Sequence, residues 1–250
     1  MSILANRAHR QFTAAQNARW SVAVCLIATT GFAWTVQWLL DLGRLFPLKA
    51  ILIFGFGATL ILALAKKHLV SDRFGTANRV TLARAAMAAL LLALIGERAG
   101  SAEAWFAVIL ASLVITMDGV DGWLARSRGD TSDFGARFDM ETDALLIFGM
   151  AALVWQYGKA GPWILAAGLM RYVFVASSYL LPWMRRTLPK RRGRQTICVV
   201  AALSLTVCLA PPLLPPTSDV VALAGLALLS SSFAIDIAWL RRVAGRPSLK

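Results

Sequence analysis

Long apolar runs recur along this chain, and they limit its fold more than any other feature. Trp20 to Leu40 contains no charged residue, and Val220 to Leu240 contains only Asp236. A helix of that length rises roughly 31 Å, about the thickness of a bilayer's hydrocarbon core. Inside lipid the backbone must satisfy its own hydrogen bonds, so such runs are helices. Further runs lie at about 48–65, up to Ile95, 104–117, up to Tyr157, 162–181 and 196–210. Ala50 to Ala65, the uncharged part of the second, rises only about 24 Å, and Lys49 and Lys66 can snorkel to extend it. With 58% hydrophobic and 16% charged residues, the expected fold is all-α: a polytopic bundle of about eight membrane helices. The first run follows a basic start (Arg7, Arg10, Arg19) but is too long for a signal-peptide core, so it is expected to be a retained anchor.

Charge sets the topology. The formal net charge is +13. Segments 1–19, 66–84, 118–139, 185–194 and 241–250 hold 21 of the 26 lysines and arginines, the opposite loops hold four, and Arg171 lies within a span. The positive-inside rule then puts both termini and the 118–143 stretch in the cytoplasm. Basic residues in short loops between spans suit anionic lipids and phosphorylated substrates, and argue against nucleic acid as a partner. Cys25, Cys198 and Cys208 sit in apolar runs without metal-ligand spacing and read as small buried hydrophobes. His9 and His68 lie in polar flanks far apart in sequence.

Acidic residues are concentrated instead. Seven of the chain's 13 fall within the 26 positions from Asp118 to Asp143, between two apolar runs, where uncompensated charge is costly. Asp118 and Asp121 are three apart and Asp139 and Asp143 four apart, so each pair shares a helix face. Residues 127–134 should form a loop between the two helices. Gly122 and Ala125 leave the first face nearly bare beyond its carboxylates, Arg126 follows, and Gly135 repeats the bare surface on the second helix. Four carboxylates without His or Cys suit hard cations, one or two Mg²⁺ or Mn²⁺ ions. Such ions would neutralise a pyrophosphate for in-line attack, and one carboxylate could take a proton from the attacking hydroxyl. A solvated acidic loop would not need these matched spacings. A membrane prenyltransferase usually carries two separated Asp-rich motifs, whereas this is one compact unit.

The stretch resembles the signature of the CDP-alcohol phosphatidyltransferases, D-x-x-D-G-x-x-A-R-x8-G-x-x-x-D-x-x-x-D. Every fixed position is present, as Asp118, Asp121, Gly122, Ala125, Arg126, Gly135, Asp139 and Asp143. Asn78, Thr81 and Arg84 resemble a weaker pattern of the family, P-N-x-x-T-x-x-R, with Ala77 where proline is usual. The resemblance covers about residues 70–245. It implies a six-helix catalytic domain over 70–250, preceded by a two-span extension over 1–69. It further implies metal ligation by Asp118, Asp121, Asp139 and Asp143, with Asp143 as general base. Gly122, Ala125, Arg126 and Gly135, with Asn78 and Thr81, would shape the CDP pocket. The implied reaction transfers the phosphatidyl group of CDP-diacylglycerol to an alcohol and releases CMP, typically in a homodimer. A bacterial inner membrane is the expected setting.

The acceptor is less defined. Arg171, Arg191 and Arg194 could bind a second anion, such as the phosphate of a phosphorylated alcohol. Against this, Arg171 could instead pair with Asp236, and the 190–194 cluster could serve topology and lipid headgroups. Ala144 stands where many phosphatidylglycerophosphate-synthase-like relatives have Lys or Arg. Met140 stands where aminoalcohol transferases often have His. Transfer of a CDP-linked choline or ethanolamine head group to a lipid alcohol is the alternative within enzymes. A divalent-cation transporter would need midplane polar residues in several helices, and apart from Arg171 few are present.

Overall fold

The structure, a computed structural model, describes the backbone of residues 2–68, 76–128, 133–186 and 192–244, with side chains at 16–17, 19–59, 79–119, 140–184, 186 and 193–244. Among these residues are eight α-helices and no strand. They are α1 (Ser2–Leu40), α2 (Phe46–His68), α3 (Thr76–Ala93), α4 (Ser101–Arg128), α5 (Asp133–Gln156), α6 (Leu165–Leu180), α7 (Arg192–Leu209) and α8 (Thr217–Ala244). Short 3-10 turns at Pro162–Ile164 and Pro182–Arg185 flank α6.

Each apolar run falls within one of these helices or overruns it by at most three residues at either end. By length and composition, segments of four of them can cross a membrane: Arg19–Leu40, Ser101–Gly119, Pro162–Leu180 and Thr217–Ala244. Phe46–Thr59 and Gly193–Leu209 are apolar but shorter. The remaining helices, α3 and α5, have polar first turns, so fewer of their residues can lie in lipid. Large apolar side chains such as Trp38, Phe56, Tyr179 and Leu180 are exposed, while Arg84, Glu103, Lys159 and Asp236 are buried. That reverses the pattern of a water-soluble protein and fits a lipid-facing surface.

The chain divides into two compact units, Met1–Asp143 and Ala144–Lys250. In the first, α3 packs against α1, α2 and α4. Leu82, Ala86 and Ala89 of α3 form a core with Phe54 and Ala58 of α2, against which Val22, Cys25 and Leu26 of α1 also pack. The basic start belongs to α1, which begins at Ser2 rather than near Trp20. No proline precedes Pro47 and no glycine precedes Gly31, so nothing in the early sequence breaks the helix. It ends at Asp41, whose φ of 49° is left-handed, with the Leu42 amide donating to Gln37 O at 3.1 Å. This is the six-to-one bond of a Schellman cap.

In the second unit the helix ends are tied by a buried lysine. Gly158, at φ 64°, closes α5. The next residue, Lys159, donates through Nζ to the carbonyls of Ala210, Pro211 and Leu213 at 3.3, 3.1 and 2.6 Å. Ser218 Oγ donates to Lys159 O at 2.5 Å. One ammonium thereby satisfies three carbonyls of the turn between α7 and α8. Lys159→Met should cost about 1–3 kcal/mol, because the Pro211 and Leu213 carbonyls lose this donor in a partly buried setting while Ala210 O keeps the Leu213 amide. A thermal melt in detergent within error of wild type would show that the turn holds without it. Elsewhere in this unit a Cβ at Gly168 would overlap the backbone of Phe148, and one at Gly225 would overlap Ser204 Oγ. Both glycines therefore mark places where helices approach too closely for a side chain.

Candidate functional site

The backbone of the acidic stretch is helical on both sides of residues 129–132. Asp118, Asp121, Gly122, Ala125 and Arg126 belong to α4, which ends at Arg128, and Gly135, Asp139 and Asp143 belong to α5, which begins at Asp133. Both expected helices are present; of the expected loop, 127–128 and 133–134 are helical and 129–132 lie outside the described residues. All four aspartates fall in the first compact unit. Asp118 and Asp143 are described with their side chains. For Asp121, Gly122, Ala125, Arg126, Gly135, Asp139 and Asn78 the structure describes the helical backbone alone, and Arg191 lies outside the described residues.

The two described aspartates converge on Arg84 of α3. Its Nη1 donates to Asp118 Oδ1, and its Nη2 lies 3.7 Å from Asp143 Oδ1. Arg84 has no exposed surface, while the Asp118 and Asp143 side chains remain 30% and 38% exposed. One planar guanidinium thus joins the first aspartate of α4 to the last of α5, a geometry that a lysine's point charge cannot reproduce. Thr81, one turn before Arg84 on α3, is also buried.

The weaker family pattern groups Arg84 with Asn78 and Thr81, and the geometry adds Arg84 to the candidate site. The available signal was its position. A charged residue opening an otherwise apolar stretch, three residues after Thr81, has to find an opposite charge.

The donor set suits a hard divalent cation. Carboxylates from two helices already face a common positive charge and remain about one-third exposed, and oxygen donors are the ligands such ions take. Among the described residues no cluster of three or more His, Cys, Asp or Glu occurs.

Of the arginines expected near the acceptor, Arg171 and Arg194 lie in the second unit. Arg171, in α6, is half-buried. Arg194, in the first turn of α7, reaches Asp236 Oδ2 of α8 at 3.5 Å, and the Asp236 side chain is only 7% exposed. Asp236 therefore has Arg194 as a cationic partner.

The sequence profile of the CDP-alcohol phosphatidyltransferases matches residues 74–234, well over half of the chain. The chain belongs to that family. A CDP-alcohol phosphatidyltransferase is a transferase of phospholipid synthesis that moves a phosphatidyl or phospho-alcohol group, and this one is an integral membrane protein. Members of the family are generally dependent on divalent cations. The match takes in α4 and α5 with all four aspartates and begins just before α3, so Arg84 and Thr81 lie within it while α1 and α2 precede it. No curated protein and no solved structure matches the chain.

Proposed function

We propose that this CDP-alcohol phosphatidyltransferase uses CDP-diacylglycerol as donor and a small polar alcohol, with or without a phosphate, as acceptor. The observation that carries the reading is the convergence of Asp118 and Asp143, from two helices, on one buried guanidinium. Asp118, Asp121, Asp139 and Asp143 are the proposed ligands of Mg²⁺ or Mn²⁺, and Gly122, Ala125, Arg126, Gly135, Asn78 and Thr81 the proposed walls of the nucleotide pocket. A bound divalent cation would neutralise the donor's diphosphate and stabilise the departing phosphate. Asp143 accepts the acceptor's hydroxyl proton as its oxygen attacks the phosphorus that carries diacylglycerol. The bond from that phosphorus to the bridging oxygen breaks, and CMP leaves with the electron pair.

Arg171, Arg191 and Arg194 are the proposed acceptor residues. Arg171 and Arg194 are cations at least half withdrawn from water, and a planar guanidinium suits a phosphate. The excess of basic residues in the segments sharing the aspartates' side supports a cytoplasmic active site. The family resemblance supports a homodimer.

The test is CMP release from CDP-diacylglycerol by the purified full-length protein. A panel of polar alcohols with and without phosphate serves as acceptors, and CDP-choline or CDP-ethanolamine with diacylglycerol is run in parallel. Release should need Mg²⁺ or Mn²⁺, stop on chelation and return when the ion is restored. Turnover only with the soluble CDP-linked head groups would reverse the assignment of donor and acceptor. No metal-dependent release from folded protein with any pair would defeat it.

A further inference from the structure

We infer that the α1–α2 hairpin, which precedes the family match, is a positioning element for the site: it fixes α3 and thereby the guanidinium of Arg84. The inference rests on the proposed function only for its activity readout.

Helix α3 has two working faces. Leu82, Ala86 and Ala89 recur at spacings of four and three, and they meet Phe54 and Ala58 of α2 together with α1. Thr81, Arg84, Ala88 and Leu91, also buried, recur on a stripe about 150° away at 100° per residue. The face that packs on the hairpin is therefore nearly opposite the face that carries Arg84. Any shift of the hairpin against α3 moves the guanidinium relative to Asp118 and Asp143. Hydrogen-bond geometry tolerates little such movement.

The far end of α3 is latched to the same hairpin by charge. Lys49 Nζ of α2 lies 3.5 Å from Ala93 O and 3.0 Å from Ile95 O. It also pairs with Glu97 Oε1 at 2.5 Å. A cation at these carbonyls opposes the negative end of the helix. Glu97 Oε2 accepts from the Gly43 amide at 2.8 Å, in the turn between α1 and α2. Arg98 Nη2 donates to Leu40 O and Asp41 O at 3.3 and 3.0 Å. The Glu97 side chain is only 7% exposed, which limits water's competition for the latch. Ala93 lies about 14 Å along α3 from Arg84, so the latch touches none of the aspartates. Packing near the site and a latch at the distal end together hold both the tilt and the depth of α3.

The test is a double-mutant cycle on the full chain with Lys49→Met and Arg84→Lys, using CMP release and backbone hydrogen exchange. If the hairpin acts through Arg84, Lys49→Met lowers kcat about tenfold and leaves the KM for CDP-diacylglycerol within about twofold. Lys49→Arg restores the rate. In the Arg84→Lys background Lys49→Met then changes kcat by less than about twofold, because the element it acts through is already lost. Amide exchange over residues 79–88 should rise at least about tenfold in Lys49→Met. Gly43→Ala, whose Cβ would come nearest the Glu97 carboxylate, 2.8 Å from Oε2, perturbs the same latch independently and should move both readouts the same way. An equal fold-loss in both backgrounds, or unchanged exchange across α3, overturns the inference. Absence of CMP release from wild type would defeat the proposed function instead, and hydrogen exchange alone would then decide the role of the hairpin.

Discussion

Asp143→Asn should lower kcat for CMP release by roughly 10³-fold or more, the upper part of the range seen when a general base is lost. The amide is nearly isosteric but cannot take a proton from the acceptor hydroxyl, and it is a weaker ligand for a hard cation. The fold should survive. Asp143 is 38% exposed, with its Oδ1 3.7 Å from Arg84 Nη2, and Arg84 also donates directly to Asp118. Turnover in proteoliposomes, with circular dichroism and gel filtration as controls, checks both halves. Near-wild-type turnover would show that the proton leaves by another route. Asp139→Asn should show a comparable loss through the metal.

Arg84→Met should be the most damaging change for stability within the site. It removes a buried counter-charge that two aspartates share. Breaking a buried ion pair typically costs about 3–5 kcal/mol, and because both carboxylates are about one-third exposed the lower end applies, about 3 kcal/mol. The same argument predicts a dependence on metal. A divalent cation neutralises the carboxylates that Arg84 neutralised, so saturating Mn²⁺ should raise the melting temperature of Arg84→Met more than that of wild type. Melting curves with chelator and with Mn²⁺ measure this directly. Equal Mn²⁺ stabilisation of the two proteins would mean that the guanidinium and the metal do not share ligands.

The helices could be read from the sequence because lipid forces a simple code. Long uncharged runs have one solution, and Pro162, Pro182 and the Pro211–Pro216 segment mark the breaks between them. The acidic stretch was legible because its spacings match a helical face. The partners of these features were not legible. Arg84 and Asp118 are 34 positions apart, and nothing local in either segment names the other. Lys159 looks like an ordinary loop lysine until three carbonyls from a turn more than 50 positions later surround it. The early start of α1 was missed for a different reason. A basic flank signals topology, and the absence of helix breakers, which continues the helix, is a quieter signal than an apolar run.

The buried guanidinium also bears on how the chain enters the membrane. On insertion scales an arginine near the centre of a helix costs about 2.5–3.5 kcal/mol, and only a short apolar stretch follows Arg84 in α3 to offset it. Alone, α3 is a poor substrate for the insertion machinery. Asp118, brought by the next helix, neutralises the charge, and α1 and α2, made earlier, offer an apolar face. Partition of α3 into lipid should therefore await the synthesis of α4, so that the pairing that builds the site also sets the order in which the helices leave the translocon.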